Sequence, residues 1–211
     1  MKTDRASRLL LTSRSRDIPR HARYVHDLQL LGPDKSWQLF LKKAFINNTN
    51  GKCPEDLENI GREILKKCNG LPLAITVVGG LLVKQRQSES EWERVLNGLN
   101  SHLGRSGSGV SAILELSYQD LPPQLKSCFL CLGFFKEDAV IRASKLVNLW
   151  IAEGLISQEG EEKERVEEIA RSYLDELINR NMVQVKEWGK FDGLKNCYVH
   201  DLLRKLSITK A

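Results

Sequence analysis

The chain has 211 residues, is 41% hydrophobic and carries a formal net charge of +5. This composition excludes an intrinsically disordered chain and provides enough apolar residues for one large or two small domains. No run of about 18 apolar residues is present to cross a membrane, and the polar stretch Met1 to Arg8 lacks the apolar core of a signal peptide, so we expect a cytoplasmic protein with its five cysteines reduced.

Residues 1–31 contain two short apolar runs, Leu9 to Thr12 and Tyr24 to Leu31, which predict strands. Two strands with such a short connection cannot form a sheet with both faces covered, so they need partners from elsewhere. We therefore interpret this segment as the tail of a truncated α/β domain. Positions 1–23 also hold seven basic and two acidic residues; a segment this basic either attracts phosphate, nucleic acid or an acidic membrane surface, or forms a solvated arm.

Residues 32–104 have the periodicity of a compact helical subdomain. Gly32 and Pro33 begin a helix whose apolar residues recur at helical spacing, and Pro54 opens a second helix with a similar stripe. The last helix of this subdomain is predicted from Ser88 to His102. The glycine- and serine-rich stretch from Gly104 to Gly109 then predicts a domain boundary.

The second and third helices of this subdomain meet at a corner formed by Cys68 to Ala74. Gly70 supplies the left-handed conformation that ends one helix, and Pro72, which has no amide hydrogen to lose, suits the first turn of the next. A backbone corner of this kind can press against a flat ligand. A purely structural corner between two helices explains the same pattern.

Residues 110–211 predict a winged helix, in which three helical segments precede a long helix, two strands form the wing and a last helix follows. Cys128 and Cys131 fall in an apolar helix, and without a second cysteine pair we interpret them as core residues rather than zinc ligands. The predicted bounds are Ile113 to Leu121, Pro122 to Phe135, Ala143 to Glu153, Val166 to Ile178, Met182 to Glu187, Leu194 to Val199 and Leu202 to Ile208.

Four motifs occur in an order that resembles the NB-ARC module of plant NLR disease-resistance receptors with coiled-coil N-termini. In the last motif, a valine stands in place of the methionine of the family's Met-His-Asp sequence. The third has a lysine, Lys136, where the family usually has proline. The motifs are Thr12 to Arg14, Gly70 to Ala74, Cys128 to Asp138, and Val199 to Asp201.

The resemblance implies a mainly α fold in three parts. Residues 1–31 correspond to a remnant of the nucleotide-binding P-loop α/β sheet. Residues 32–104 correspond to the helical ARC subdomain, and residues 110–211 correspond to the winged-helix domain.

The resemblance also implies a nucleotide-binding site. In the family, the arginine that matches Arg14 senses the terminal phosphate. The histidine that matches His200 contacts the β-phosphate of ADP, and Asp201 braces the local loop. A structural interpretation, with Asp201 as the N-cap of the last helix, stands beside this one. The corner between the second and third helices contributes Gly70, Leu71, Pro72 and Leu73 to the implied nucleotide-binding site.

Two elements of the family's nucleotide site are absent from the sequence. No Gly-x-x-x-x-Gly-Lys-Ser/Thr occurs to wrap the phosphates, and no apolar strand ends in paired aspartates to hold magnesium. We therefore interpret the chain as truncated before the P-loop, with no magnesium site and with binding of ADP or ATP that is weak or dependent on a partner. No catalytic motif is present either, so we expect no enzymatic activity.

The function implied by the resemblance is that of a part of the ADP/ATP-dependent switch of a plant intracellular immune receptor. Its expected partners are other receptor domains or receptor chains, including a second copy of itself. The alternative is a nucleotide-independent interaction module, decoy or adaptor. DNA binding by the winged helix is disfavoured, because residues 159–180 hold eight acidic residues against four basic ones and repel phosphate.

Overall fold

The computed structural model of the chain describes residues 10–13, 24–46, 53–156, 163–189 and 193–211. The predicted mainly α fold is confirmed, with a small antiparallel sheet in the C-terminal half. Arg14 lies outside the described residues.

The helices and strands follow the order expected from the sequence pattern. The helices are α1 Pro33–Ala44, α2 Glu55–Cys68, α3 Pro72–Lys84, α4 Glu89–Ser106, α5 Gly109–Gln119, α6 Pro123–Leu130, α7 Ala143–Ala152, α8 Lys163–Asn179 and α9 Asp201–Lys210. The strands are β1 Ile141–Arg142, β2 Gln184–Trp188 and β3 Leu194–Tyr198, and a 3₁₀ turn, Cys131–Phe134, follows α6.

Helix α3 lies at the centre of the N-terminal half. Nine of its thirteen residues are buried, because its sequence is apolar on nearly all sides. It packs against α1 and α5, and two adjacent glycines permit close approach on two sides. A Cβ atom at Gly79 would lie 2.6 Å from the Cβ of Lys43, and one at Gly80 would lie 2.7 Å from the backbone carbonyl carbon of Arg180.

The core is continuous from the helical half into the winged helix. Trp92 of α4 and Trp150 of α7 are both fully buried, and the ring of Trp92 meets Phe40 edge-on at 5.8 Å between centroids. Aromatic side chains of this size contribute the largest apolar areas to a core. The core of each half of the chain thus contains one fully buried tryptophan.

The wing is a sheet of three antiparallel strands with β3 in the centre. Cys197 of β3 pairs with Ile141 of β1 on one side and with Val185 of β2 on the other. The predicted wing strands are confirmed. Strand β1 was not predicted, because two residues are too few to show the alternation that identifies a strand.

The strands predicted in residues 1–31 are wrong where the structure describes them. Residues 10–13 and 24–31 contain no strand, and the side chains of Leu10 and Leu28 are 90% and 91% exposed. A strand needs a hydrogen-bonded neighbour, and the described sheet is made only of β1, β3 and β2. The assignment of residues 1–31 to a nucleotide-binding domain stays a prediction.

Two predicted helix ends also differ from the structure. Helix α4 runs through Gly104 to Ser106 and ends at Gly107, whose φ of 64° is left-handed. Helix α6 ends at Leu130 because the chain tightens into the 3₁₀ turn. Helix α5, which follows the predicted boundary, packs against α2, α3 and α4 as well as α9. The domain boundary at residues 104–109 stays a prediction.

The prediction that Cys128 and Cys131 are core residues is confirmed, since their exposed fractions are 0% and 7%. Burial raises the pKa of the Cys68 and Cys128 thiols to about 12 and that of Cys53 to about 11. None of the helices in the described ranges has the length and apolar composition needed to traverse a lipid bilayer.

The thiols provide a test of this packing. In the native chain at about pH 8, we expect iodoacetamide to leave Cys68 and Cys128 unmodified, since only the thiolate reacts and both sulfur atoms are buried. Half-buried Cys53 reacts first. Peptide mass spectrometry with and without denaturant measures this order, and alkylation of native Cys68 at the rate of Cys53 would contradict the fold.

Candidate functional site

The corner between α2 and α3 is formed by two consecutive residues in the left-handed conformation. Asn69 has φ 49° and Gly70 has φ 70°. The amide of Asn69 donates to the carbonyl of Lys66 at 3.3 Å, and the amide of Leu71 donates to that of Cys68 at 3.0 Å. These bonds satisfy carbonyl groups at the end of α2. The prediction that Gly70 adopts a left-handed conformation is confirmed.

Gly70 is also the point at which the segment before α1 is attached. The amide of Leu31 donates to the Gly70 carbonyl at 2.9 Å, and a Cβ atom at position 70 would lie 2.4 Å from the Leu31 carbonyl oxygen. Glycine is therefore required here both for its φ angle and for the space that it leaves. Its role is to hold two backbone segments together.

The remaining corner residues separate into exposed and buried positions. Leu71 is half-buried and is the extended N-cap of α3, and its carbonyl accepts the amide of Ile75 at 3.1 Å. Pro72 occupies the first turn of α3 and is exposed, whereas Leu73 is buried at 6% exposure. Of the four predicted corner residues, Pro72 is the one whose side chain is exposed for contact with a ligand.

His200 is the N-cap of α9. Its Nδ1 atom accepts a hydrogen bond from the Leu202 amide at 3.2 Å. Because Nδ1 is the acceptor, the proton of the neutral ring is assigned to Nε2, which is then a donor. The interpretation of Asp201 as the N-cap is wrong: Asp201 is the first residue inside the helix, where its charge suits the positive end of the helix dipole.

Asp201 lies beside the end of the Cys128–Asp138 motif. It is 7% exposed, and its carboxylate, together with those of Glu137 and Asp138, forms a group in which the ligand-type oxygens lie within 4.8 Å of one another. Within the described ranges, this is the one group of three or more such side chains that has the spacing of a cation site. The structure thus joins two motifs that are 63 residues apart in sequence.

Further contacts hold this junction together. The Nε atom of Arg204 donates to the Phe135 carbonyl, and a Cβ atom at Gly133 would lie 3.0 Å from Oγ of Ser207. Helix α9 therefore packs directly on the 3₁₀ turn. The sequence contained both motifs but no signal that they meet, because contact across such a separation is not visible in the periodicity of one sequence.

The predicted site residues lie at the beginnings of two helices. Gly70 to Leu73 lie where α3 begins, and His200 and Asp201 lie where α9 begins. The unpaired amides at a helix N-terminus favour anions such as phosphate. A separate cavity of about 470 Å³ between α8 and the wing, lined by Arg171, Leu174 and Trp188 among others, includes none of these residues.

Comparison with known proteins identifies a family. Residues 134–207 match the winged helix domain of disease resistance proteins, and these residues contain the junction around His200. The chain is 40% identical over 98% of its length to disease resistance RPP13-like protein 3 of Arabidopsis thaliana. It is 37% identical over 97% of its length to the ToMV resistance protein Tm-2(2) of Solanum lycopersicum.

A third relative is the late blight resistance protein homolog R1B-12 of Solanum demissum, which is 42% identical over 93% of the chain. The chain spans 24% of the length of each of the first two proteins and 14% of this one. The similarity therefore covers nearly all of this chain and a small part of each relative.

The capping role of His200 can be tested by substitution. We expect His200→Ala to lower the free energy of unfolding by about 1 kcal/mol, because the Leu202 amide loses its acceptor. His200→Asn retains a side-chain acceptor and is expected to keep the stability of the native chain. Urea denaturation followed by circular dichroism measures both variants, and equal stability of His200→Ala and His200→Asn would contradict the cap.

Proposed function

This chain belongs to the plant disease-resistance protein family, and from that premise we propose that it is the ADP-responsive portion of the nucleotide switch of an intracellular immune receptor. In this proposal, ADP holds the winged helix against the helical subdomain, and exchange for ATP releases it. The proposed location is the cytoplasm, and the proposed partners are other receptor domains or receptor chains.

The observation that carries the proposal is the geometry of His200. The Leu202 amide occupies Nδ1, so the neutral ring has a proton on Nε2 to donate to a phosphate oxygen. The ring is half-buried at the beginning of a helix, where the backbone dipole also favours an anion. This is the residue that matches the histidine of the family's Met-His-Asp motif.

The corner supports the proposal through Pro72. Its ring is exposed at the beginning of α3, and the residues around it are fixed by the Leu31–Gly70 hydrogen bond. A rigid apolar ring costs little conformational entropy when it packs against a flat base.

The proposed affinity is low. The sequence lacks a phosphate-wrapping loop and paired aspartates for magnesium, and such elements supply much of the favourable interaction with a nucleotide. We therefore propose that this chain binds ADP weakly, or binds it together with a partner that provides the phosphate loop. Arg14, by its match to the family's arginine, would contribute a second phosphate contact.

A second candidate function is supported by the exposed apolar residues before α1. Leu10, Tyr24 and Leu28 have exposed fractions of 90%, 84% and 91%, and exposed apolar groups of this size favour association with another protein. An interaction module, decoy or adaptor that needs no nucleotide uses such a surface. Recovery of the partner in equal amounts with and without ADP supports this second function.

The nucleotide-switch proposal is tested by titration calorimetry with ADP and magnesium. We expect weak binding that is lost in His200→Asn, because this variant keeps a capping acceptor but removes the Nε2 donor. We also expect weaker binding in Pro72→Ala. Adenosine, which lacks phosphate, provides the matched control ligand and is expected to be insensitive to His200→Asn. Unchanged ADP binding in both variants would refute the proposal.

A further inference from the structure

One face of α3 contacts the last turn of α8 and the two residues that follow it, Arg180 and Asn181. Thr76, Gly80 and Lys84 are spaced four residues apart, so they lie on the same face of the helix. The Thr76 carbonyl accepts a hydrogen bond from Nδ2 of Asn181 at 3.0 Å. The next turn, at Gly80, lies directly against the Arg180 backbone. One turn further, Nζ of Lys84 lies 2.6 Å from Oε2 of Glu176.

Arg180 connects this face to a third helix. Its Nη1 atom lies 2.7 Å from Oδ2 of Asp120, the C-cap of α5, and its Nε atom lies 2.8 Å from Oε1 of Glu176. The Arg180 side chain is only 9% exposed. The second Asp120 oxygen, Oδ1, accepts a hydrogen bond from Gln85 just after α3. One buried guanidinium thus joins α8 to the α3 and α5 layer.

The charged state of Glu176 supports this arrangement. Burial alone would raise the pKa of this carboxyl group, but the hydrogen bonds from Lys84 and Arg180 outweigh burial and hold the pKa below its usual value. A carboxylate shared between two cations is typical of a specific contact rather than of a solvated surface.

We propose that Glu176, Arg180 and Asn181 form, with Thr76, Lys84 and Asp120, a polar latch that keeps the winged helix closed on α3 independently of nucleotide. The latch lies on the same helix that begins at Pro72, so a movement of α3 changes both. Gly80 is also part of the latch, because a larger residue there cannot be accommodated without displacing the Arg180 backbone. Separation of the winged helix from α3 requires these contacts to break together.

The latch is distinguished from an ordinary core contact by two matched arginines, Arg171 within α8 and Arg180 immediately after it. Arg180→Met removes the latch ion pairs. Arg171→Met removes an i, i+4 ion pair with Glu167, in which the nitrogen and oxygen atoms are 2.6 Å apart. This ion pair lies entirely within α8, and the Arg171 side chain is 48% exposed. Each variant loses one positive charge and an ion pair to a glutamate of α8, and only the first is expected to loosen the contact of α8 with α3 and α5.

Hydrogen–deuterium exchange of the nucleotide-free chain measures the outcome. In Arg180→Met, we expect exchange of the amides in α3 and in residues 180–183 to be faster by about tenfold, while peptides around Trp92 and Trp150 keep their native rates. Arg171→Met is expected to leave all of these rates unchanged. Equal rates in Arg180→Met and Arg171→Met would overturn the latch.

Two further variants separate opening from loss of folding. Asn181→Gly introduces a residue that tolerates the φ of 56° and removes the side-chain hydrogen bonds to the carbonyls of Thr76 and Asn179. Gly80→Ala changes no charge but is expected to displace the Arg180 backbone. Both are expected to accelerate exchange in the same peptides as Arg180→Met. If all peptides, including those around Trp92 and Trp150, accelerate together, the contact belongs to one cooperative core and the latch is refuted. This result is independent of whether ADP binds.

Discussion

The burial of α3 is the constraint on which the rest of the structure depends. A helix that is apolar on nearly every side has no face to offer to water, so it must be covered all round, and α1, α5 and the end of α8 provide that cover. Each large apolar side chain that it buries contributes about 1.5–3 kcal/mol. At Gly80 the backbone of Arg180 lies so close to α3 that no side-chain atom can be accommodated. The winged helix is therefore held directly against the α3 backbone.

This constraint relates the two parts of the candidate site. The beginning of α3 carries exposed Pro72, and its later turns meet Asn181, Arg180 and Glu176. The corner and the charge network at the far end therefore belong to the same helix. The second part, at His200, is fixed instead by the packing of α9 on the 3₁₀ turn, and the carboxylates of Asp201, Glu137 and Asp138 lie beside it.

Local patterns in the sequence predicted those features, such as helix ends and turns, that are decided by residues close together in the chain. Gly70 and Pro72 gave the corner correctly because chain reversal and helix initiation are decided within a few residues. The N-cap of α9 was misplaced by one residue, because aspartate is a common cap and histidine is an uncommon one. The cluster of Asp201 with Glu137 and Asp138 was missed, as were the contacts of Glu176, Arg180 and Asn181 with the N-terminal half, because the partners lie between 60 and 105 residues apart and leave no mark on a local pattern.

The capping bond of His200 has a consequence for how this residue can recognise an anion. While the ring accepts the Leu202 amide at Nδ1, its donor is Nε2, so in the proposed nucleotide switch it would meet a phosphate oxygen as a neutral donor and not as a cation. Interaction between a neutral dipole and an oxygen acts over a short range and is little affected by ionic strength, whereas charge–charge attraction is screened within about 10 Å at moderate salt. Under the proposed switch, this position would therefore recognise a phosphate through the direction of one hydrogen bond rather than through long-range attraction.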